Sequence, residues 1–202
     1  MNSQQDTIKK ILDVEWYMFQ RVKSTGGPSP CQSAPDTFKK IRGSIFETWS
    51  PGVLASYLED LKQAVDEGRN PLAEKYARMD NLIPPMSRNP LIEKIVQIES
   101  GWQEEVRKKY PAIYSRVGRG TGGANDGSNF SVYLRSELET YSDKTLRLYY
   151  ERVSQALDKG ENLAILSLET LVKKGGFKNL EHAENGLAGH VNPNAIGKQI
   201  DG

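Results

Sequence analysis

Two charges stand where a helical core would place aliphatic side chains. In the first helical segment the apolar stripe runs Ile8, Leu12, Glu15, Phe19 and Val22, so a carboxylate falls in the middle of the face to be buried. In the second segment it runs Phe38, Arg42, Ile45, Phe46 and Trp49, with a guanidinium at the matching central position. An isolated buried charge is costly, whereas an arginine fork on a carboxylate satisfies both groups at once. Glu15 and Arg42 are therefore expected to meet across the first helix pair. Asp60, beside the stripe of the third helix, and Glu137, in register with Tyr133, Leu134, Leu138 and Tyr141, add polar groups to the same interior. Ionisable residues on several core-facing stripes suggest a polar pocket inside a bundle. The competing reading is a buried ion pair that only fixes register.

The stretch GRNPLAEKYARMDNLIPP, residues 68 to 85, brings more charge to this interior. Asn70 is a capping residue, Pro71 loses no hydrogen bond at the first helical position, and Pro84 with Pro85 blocks continuation, so a short helix is expected over 71–82. Leu72, Tyr76 and Met79 form its packing face. Glu74 and Arg78, four apart, are placed to pair within the helix; alternatively Arg78 or Lys75 points inward as the electropositive site for an anionic group. Cys31 precedes the second helix, whose start reads as a Ser-x-x-Asp capping box at Ser33, and the helix dipole there could lower its pKa. No histidine is near it in sequence, since His182 and His190 are both late, and the bland reading is a half-buried thiol.

Metal binding has little support. No Glu-x-x-His pair occurs, an all-carboxylate magnesium site drawn from Glu15, Asp60, Glu74 and Glu137 remains open, and no metal ligand is assigned. The glycine-rich segment 118–129, GRGTGGANDGSN, lacks the GxxxxGK[ST] pattern and follows no expected strand. It reads as a loop, or a lid carrying Arg119. No cofactor can be named.

These residues need helices to position them, and helical spacing runs through almost the whole chain while period-two alternation is absent. The fold class is all-α: a single-domain bundle of seven to eight helices over 1–186, followed by a flexible tail over 187–202 that lacks periodicity. The first helix covers about 5–23. The third follows Ser50-Pro51, buries Leu54, Tyr57, Leu58, Leu61 and Val65, and ends at Gly68. A fifth, about 90–109, carries Leu91, Ile95, Ile98, Trp102 and Val106 and stops before Tyr110-Pro111. From Ser131 one helix continues, with a bend at Ser142, through Leu146, Tyr149, Val153 and Leu157 to Gly160; another runs from Asn162 to Gly175-Gly176, and a short one follows Asn179.

The chain has 202 residues, with 27 Lys and Arg against 26 Asp and Glu, a formal net charge of +1. Such a balance argues against nucleic-acid and membrane partners, because no global field draws either. One cysteine excludes an internal disulfide framework and fits a reducing cytoplasm. No apolar run is long enough to span a bilayer.

Taken in order, EW with MFQ, CQ, TFKKIRGSIFETW, SYLEDL, GRN, EKYARM, YP, YLRSELETYSDKTL and LEHAE resemble DUF4125, a bacterial family of unknown function, from about residue 8 to 184. The resemblance implies a bacterial, mostly helical single-domain protein and names no activity. The polar positions it carries over are Glu15, Cys31, Gln32, Arg42, Asp60, Arg69, Asn70, Glu74, Lys75, Tyr76, Arg78, Glu137, Tyr141 and Ser142. DNLIPP after EKYARM and the glycine-rich segment depart from its pattern.

The leading functional expectation is an enzyme that holds a small polar or anionic molecule in a charged pocket inside the bundle. Arg42 with Arg78 or Lys75 would bind the anionic group, beside Asp60 and Glu137. Glu15 or Glu74 would act as acid or base, Tyr141 would assist proton transfer, and Cys31 is a candidate nucleophile. Lyase, hydrolase and transferase chemistry all remain open. The alternative is a noncatalytic helical module whose polar core is structural and whose surface binds a protein partner or a second copy as a homodimer.

Overall fold

In a computed structural model, residues 3–22, 34–117 and 129–188 are described. They form ten α-helices and no strand: α1 Ser3–Phe19, α2 Pro35–Phe46, α3 Pro51–Asp66, α4 Pro71–Met79, α5 Leu91–Lys109, α6 Pro111–Val117, α7 Phe130–Leu138, α8 Asp143–Asp158, α9 Leu163–Lys174 and α10 Leu180–Ala188. The class is all-α. Cys31, the expected cap Ser33 and most of the glycine-rich segment lie outside the described residues, as does the tail after Ala188.

Two places account for the larger helix count. Pro111, expected only to stop α5, opens α6, because proline suits the first turn of a helix whose first amides have no intrahelical acceptor. Ser142 does more than bend the chain. Its hydroxyl accepts from the amide of Thr145 at 3.2 Å and starts α8 as a separate helix.

Capping explains most other boundaries. Ser50 accepts from the amide of Val53, Asn70 from Ala73 at 3.1 Å, and Asn162 from Ile165 at 3.0 Å. Gly68 and Gly160 end α3 and α8 with φ of 70° and 69°, the left-handed region that glycine adopts without a Cβ clash. The start of α2 differs from expectation: its cap position is Ala34, which offers no side-chain acceptor, and the helix relies on Pro35 in the first turn. The fourth helix ends at Met79 rather than 82, since Asn81 turns to φ 54° and Leu82 is left 69% exposed.

The main core joins α1–α5 with α7 and α8, and a smaller one lies between the end of α5, α6, α9 and α10. Two expected core positions face water instead. Val65 and Leu157 are 47% and 50% exposed, while their neighbours Ala64 and Ala156 are buried, because three-and-four spacing from Leu61 and Val153 lands one residue earlier. Helices α1–α4 and α7 supply the polar residues that gather in the interior, and α2 with α5–α9 encloses a cavity beside them.

Candidate functional site

The expected pair forms, and it is the centre of a larger cluster. Arg42 on α2 donates through Nε to Glu15 Oε2 at 2.9 Å and through Nη2 to Glu15 Oε1 at 2.5 Å. The same Nη2 donates to Glu137 Oε1 on α7 at 2.8 Å. Lys75 on α4 donates to Glu137 Oε2 at 3.3 Å and to the Tyr133 hydroxyl at 3.1 Å. Tyr57 and Tyr141 complete the set, donating to Glu15 Oε1 at 2.8 Å and Glu137 Oε1 at 3.0 Å. Glu15 is 0% exposed, and the other three charges are buried too.

Two cationic and two carboxylate side chains meet in this cluster, and the electrostatics hold Arg42, Lys75 and Glu137 ionised. Burial works against the charge on Glu137, but Arg42 and Lys75 outweigh it and drive the carboxyl far below its usual range. For Arg42 and Lys75 burial again opposes ionisation; Glu137, joined at Arg42 by Glu15, overrides it and raises both. Burial and the adjacent carboxylates push the Tyr57 and Tyr141 hydroxyls well above their ordinary value, so both stay protonated donors.

Other sequence candidates lie elsewhere. Glu74 and Arg78 do not pair with each other. Glu74 accepts a two-point bond from Arg69 at 2.9 and 2.8 Å, and Arg78 donates through Nε to Glu139 at 2.9 Å. The reason is partner quality: each finds a bidentate or nearly buried counterpart, which outcompetes an exposed contact one turn along the helix. Asp60 accepts from the amide of Ser142 at 3.0 Å and lines an open groove with Arg69, Arg88 and Asp143, to which Tyr141 is the cluster's contribution. Cys31 lies outside the described residues. Among those residues no three His, Cys, Asp or Glu side chains gather as metal ligands.

Beside the cluster is a cavity of about 180 Å³ between α2 and α5–α9, with Arg42, Glu137 and Tyr141 on its wall. Much of the rest is apolar, including Ile45, Leu134, Leu163 and Leu168. Glu99 on α5 also lines it. This carboxyl accepts from the Tyr149 hydroxyl at 2.5 Å through Oε1 and has no cationic partner among the described residues. Burial, opposed by the Tyr149 bond and reinforced by Glu137, raises Glu99 to about 7. Trp49 lies on the same wall. Its buried Nε1 approaches the Tyr149 hydroxyl and influences its ionisation, but outside hydrogen-bond geometry, and has no acceptor among the described residues.

The family model of DUF4125, a protein family of unknown function, matches residues 5–185. This chain belongs to that family. No curated protein and no solved structure matches it.

Of the residues the sequence reading places in one pocket, this DUF4125 protein brings Glu15, Arg42, Lys75, Glu137 and Tyr141 together and holds Asp60, Glu74 and Arg78 elsewhere, and the reading leaves Glu99 out. Its signal was present. On α5 the buried positions Ile92, Ile95, Trp102 and Val106 leave a gap of one turn that Glu99 fills, so the stripe test that singled out Glu15 and Arg42 applies to it equally. Tyr149 and Tyr57 read only as core aromatics, because spacing does not reveal what a hydroxyl reaches. No described helix is long and apolar enough to cross a membrane.

Proposed function

We propose that this protein is a bacterial, cytoplasmic enzyme that binds a ring-sized molecule in the α2/α5/α7/α8/α9 cavity and moves a proton with Glu99. One observation carries the reading: a carboxyl poised at about 7, with no cationic partner, on the wall of a cavity. A group with that value exchanges a proton readily in either direction near neutral pH, as a general acid or base must. The volume, about 180 Å³, suits a molecule of one ring and a short substituent, since a cavity of about 150 Å³ accepts benzene. The Glu15–Arg42–Glu137–Lys75 cluster serves as the rigid floor. Its donors and carboxylates already engage one another, and Glu15 is sealed from any ligand. The single cysteine supports the cytoplasmic assignment.

A second reading draws on that same completeness of pairing. A noncatalytic helical module would retain the cluster for packing alone and bind a partner or second copy through its surface. Of the exposed large apolar side chains, however, Ile41 and Val117 line the cavity itself, and Tyr17, Val65, Leu82, Leu157 and Leu166 sit on different elements, where single apolar residues need no partner to explain them.

The deciding experiment is native mass spectrometry of gently purified protein, followed by incubation of any released small molecule with wild type and with Glu99→Gln. The enzyme reading expects Glu99→Gln to retain the molecule and lose its conversion. A variant that converts it at the wild-type rate would overturn the role of Glu99. Ser167 of α9 lines the cavity, and a Ser167→Trp protein that retains the molecule fully would overturn the cavity as its site.

A further inference from the structure

Six aromatic side chains line the cavity: Trp49, Tyr114, Phe130, Tyr133, Tyr141 and Tyr149. Three form a contiguous group, with Trp49 centred 4.8 Å from Tyr149 and 6.2 Å from Tyr141. Glu99 is joined to this group through the Tyr149 hydroxyl. Aromatic faces carry partial negative charge and attract cations, and a carboxylate at the rim of such a group adds a full charge of the same sign.

The hydrogen-bond inventory at the polar end points the same way. Tyr149 and Tyr141 commit their protons to Glu99 and Glu137, and the Tyr133 oxygen accepts from Lys75. Glu99 Oε2 has no donor among the described residues. Among the described residues Arg42 is the cavity's lining cation, and its Nε and Nη2 point at Glu15 and Glu137, whose two carboxylates balance its charge together with that of Lys75. At Glu99 the cavity therefore presents an open acceptor and negative potential, which an occupant matches there with a donor and positive charge.

We infer that the cavity selects a small organic ammonium, an amine on a ring-sized apolar body, whose N–H donates to Glu99 Oε2 while its charge rests against Trp49, Tyr149 and Tyr141. This deepens the preceding proposal and rests on its reading of the cavity as a ligand site. It also replaces the expected anionic substrate, because Arg42, Lys75 and Arg78 each already face a carboxylate. A ligand oxygen near Trp49 would in addition satisfy the one buried side-chain polar atom that lacks a partner among the described residues.

Isothermal titration of the full chain at pH 8 with benzylamine, benzyl alcohol and benzoate separates the possibilities, because the three share a ring and differ in head group. Benzylamine should bind at least about tenfold tighter than benzyl alcohol, and benzoate should bind weakest. Glu99→Gln should bring benzylamine and benzyl alcohol to within about twofold of each other. If benzyl alcohol or benzoate equals benzylamine on wild type, the ammonium inference fails and the cavity remains a ligand site. If none of the three binds, the cavity reading fails with it. The wild-type ranking decides the matter even if Glu99→Gln does not fold.

Discussion

Glu137 and Glu99 line one cavity from adjacent helices, yet their carboxyls are held at opposite ends of the scale. Glu137 is driven far below its usual range and Glu99 is raised to about 7. Burial pushes both in the same direction, so burial does not explain the contrast. Cations do. Glu137 faces Arg42 and Lys75 and accepts from Tyr141, whereas Glu99 has one tyrosine and the repulsion of Glu137 itself. A carboxylate locked in one protonation state can hold a fold together and cannot exchange protons at neutral pH; one left without a counter-ion can do the reverse. The structural and chemical roles divide along that line.

The contrast breaks most severely if the shared cation is removed. Arg42→Met leaves Glu15 and Glu137 buried with fewer donors, and the expected loss is about 3–5 kcal/mol in urea unfolding at pH 7. Adding Glu15→Gln to that variant should restore part of the loss, because one of the stranded charges is then gone. A loss under about 1 kcal/mol for Arg42→Met would mean that the cluster does not support the fold.

Proton linkage gives the next effect. The folded pKa of Glu99 lies above its usual value of 4.5, so the folded state holds the proton more tightly and its ionisation is destabilising as pH rises from about 4.5 through 7. Replacing it by glutamine removes that penalty. Glu99→Gln should match wild type near pH 4.5 and exceed it by up to about 3 kcal/mol at pH 8, less what the altered Tyr149 bond costs. Glu137 has the opposite sign: its folded pKa is depressed, so its contribution is complete above about 4.5 and fades as pH falls below it. Urea midpoints from pH 4 to 8 for both Gln variants test the pair. Parallel profiles for the two would end the distinction between them.

How much of this was legible in the sequence depends on what each position was asked. The ion pair of Glu15 and Arg42 could be read because a charge interrupts an apolar stripe on each of two consecutive helices, and such a charge must find a partner. That α4 would bury Lys75 was open, because a lysine stem can reach either water or the interior from the same backbone position. Pairing beyond neighbouring helices was not legible. Glu139 takes Arg78 together with the amide of Met86, through a placement that only the packed helices define. Glu99 was missed for a different reason: the stripe of α5 was drawn through Ile98, one residue earlier, which leaves Glu99 off it.

The smallest effects come from α4, where the same comparison recurs between adjacent residues. Lys75 is buried against Glu137, and Glu74, one position earlier, meets Arg69 at a surface where the arginine side chain is 46% exposed. Lys75→Met removes one of the cations that hold Glu137 ionised while Arg42 and Tyr141 remain, and should cost about 1–3 kcal/mol at pH 7. It should also move the acid limb of the stability profile upward, since Glu137 then gains its proton at higher pH. Glu74→Gln breaks a solvated pair and should cost less than about 1 kcal/mol, falling further at high salt. If Glu74→Gln instead abolished turnover while leaving the fold intact, the chemistry would have to move to the groove side of α4. No displacement of Glu99 could explain that result, because Glu74 touches neither the cavity nor the cluster beneath it.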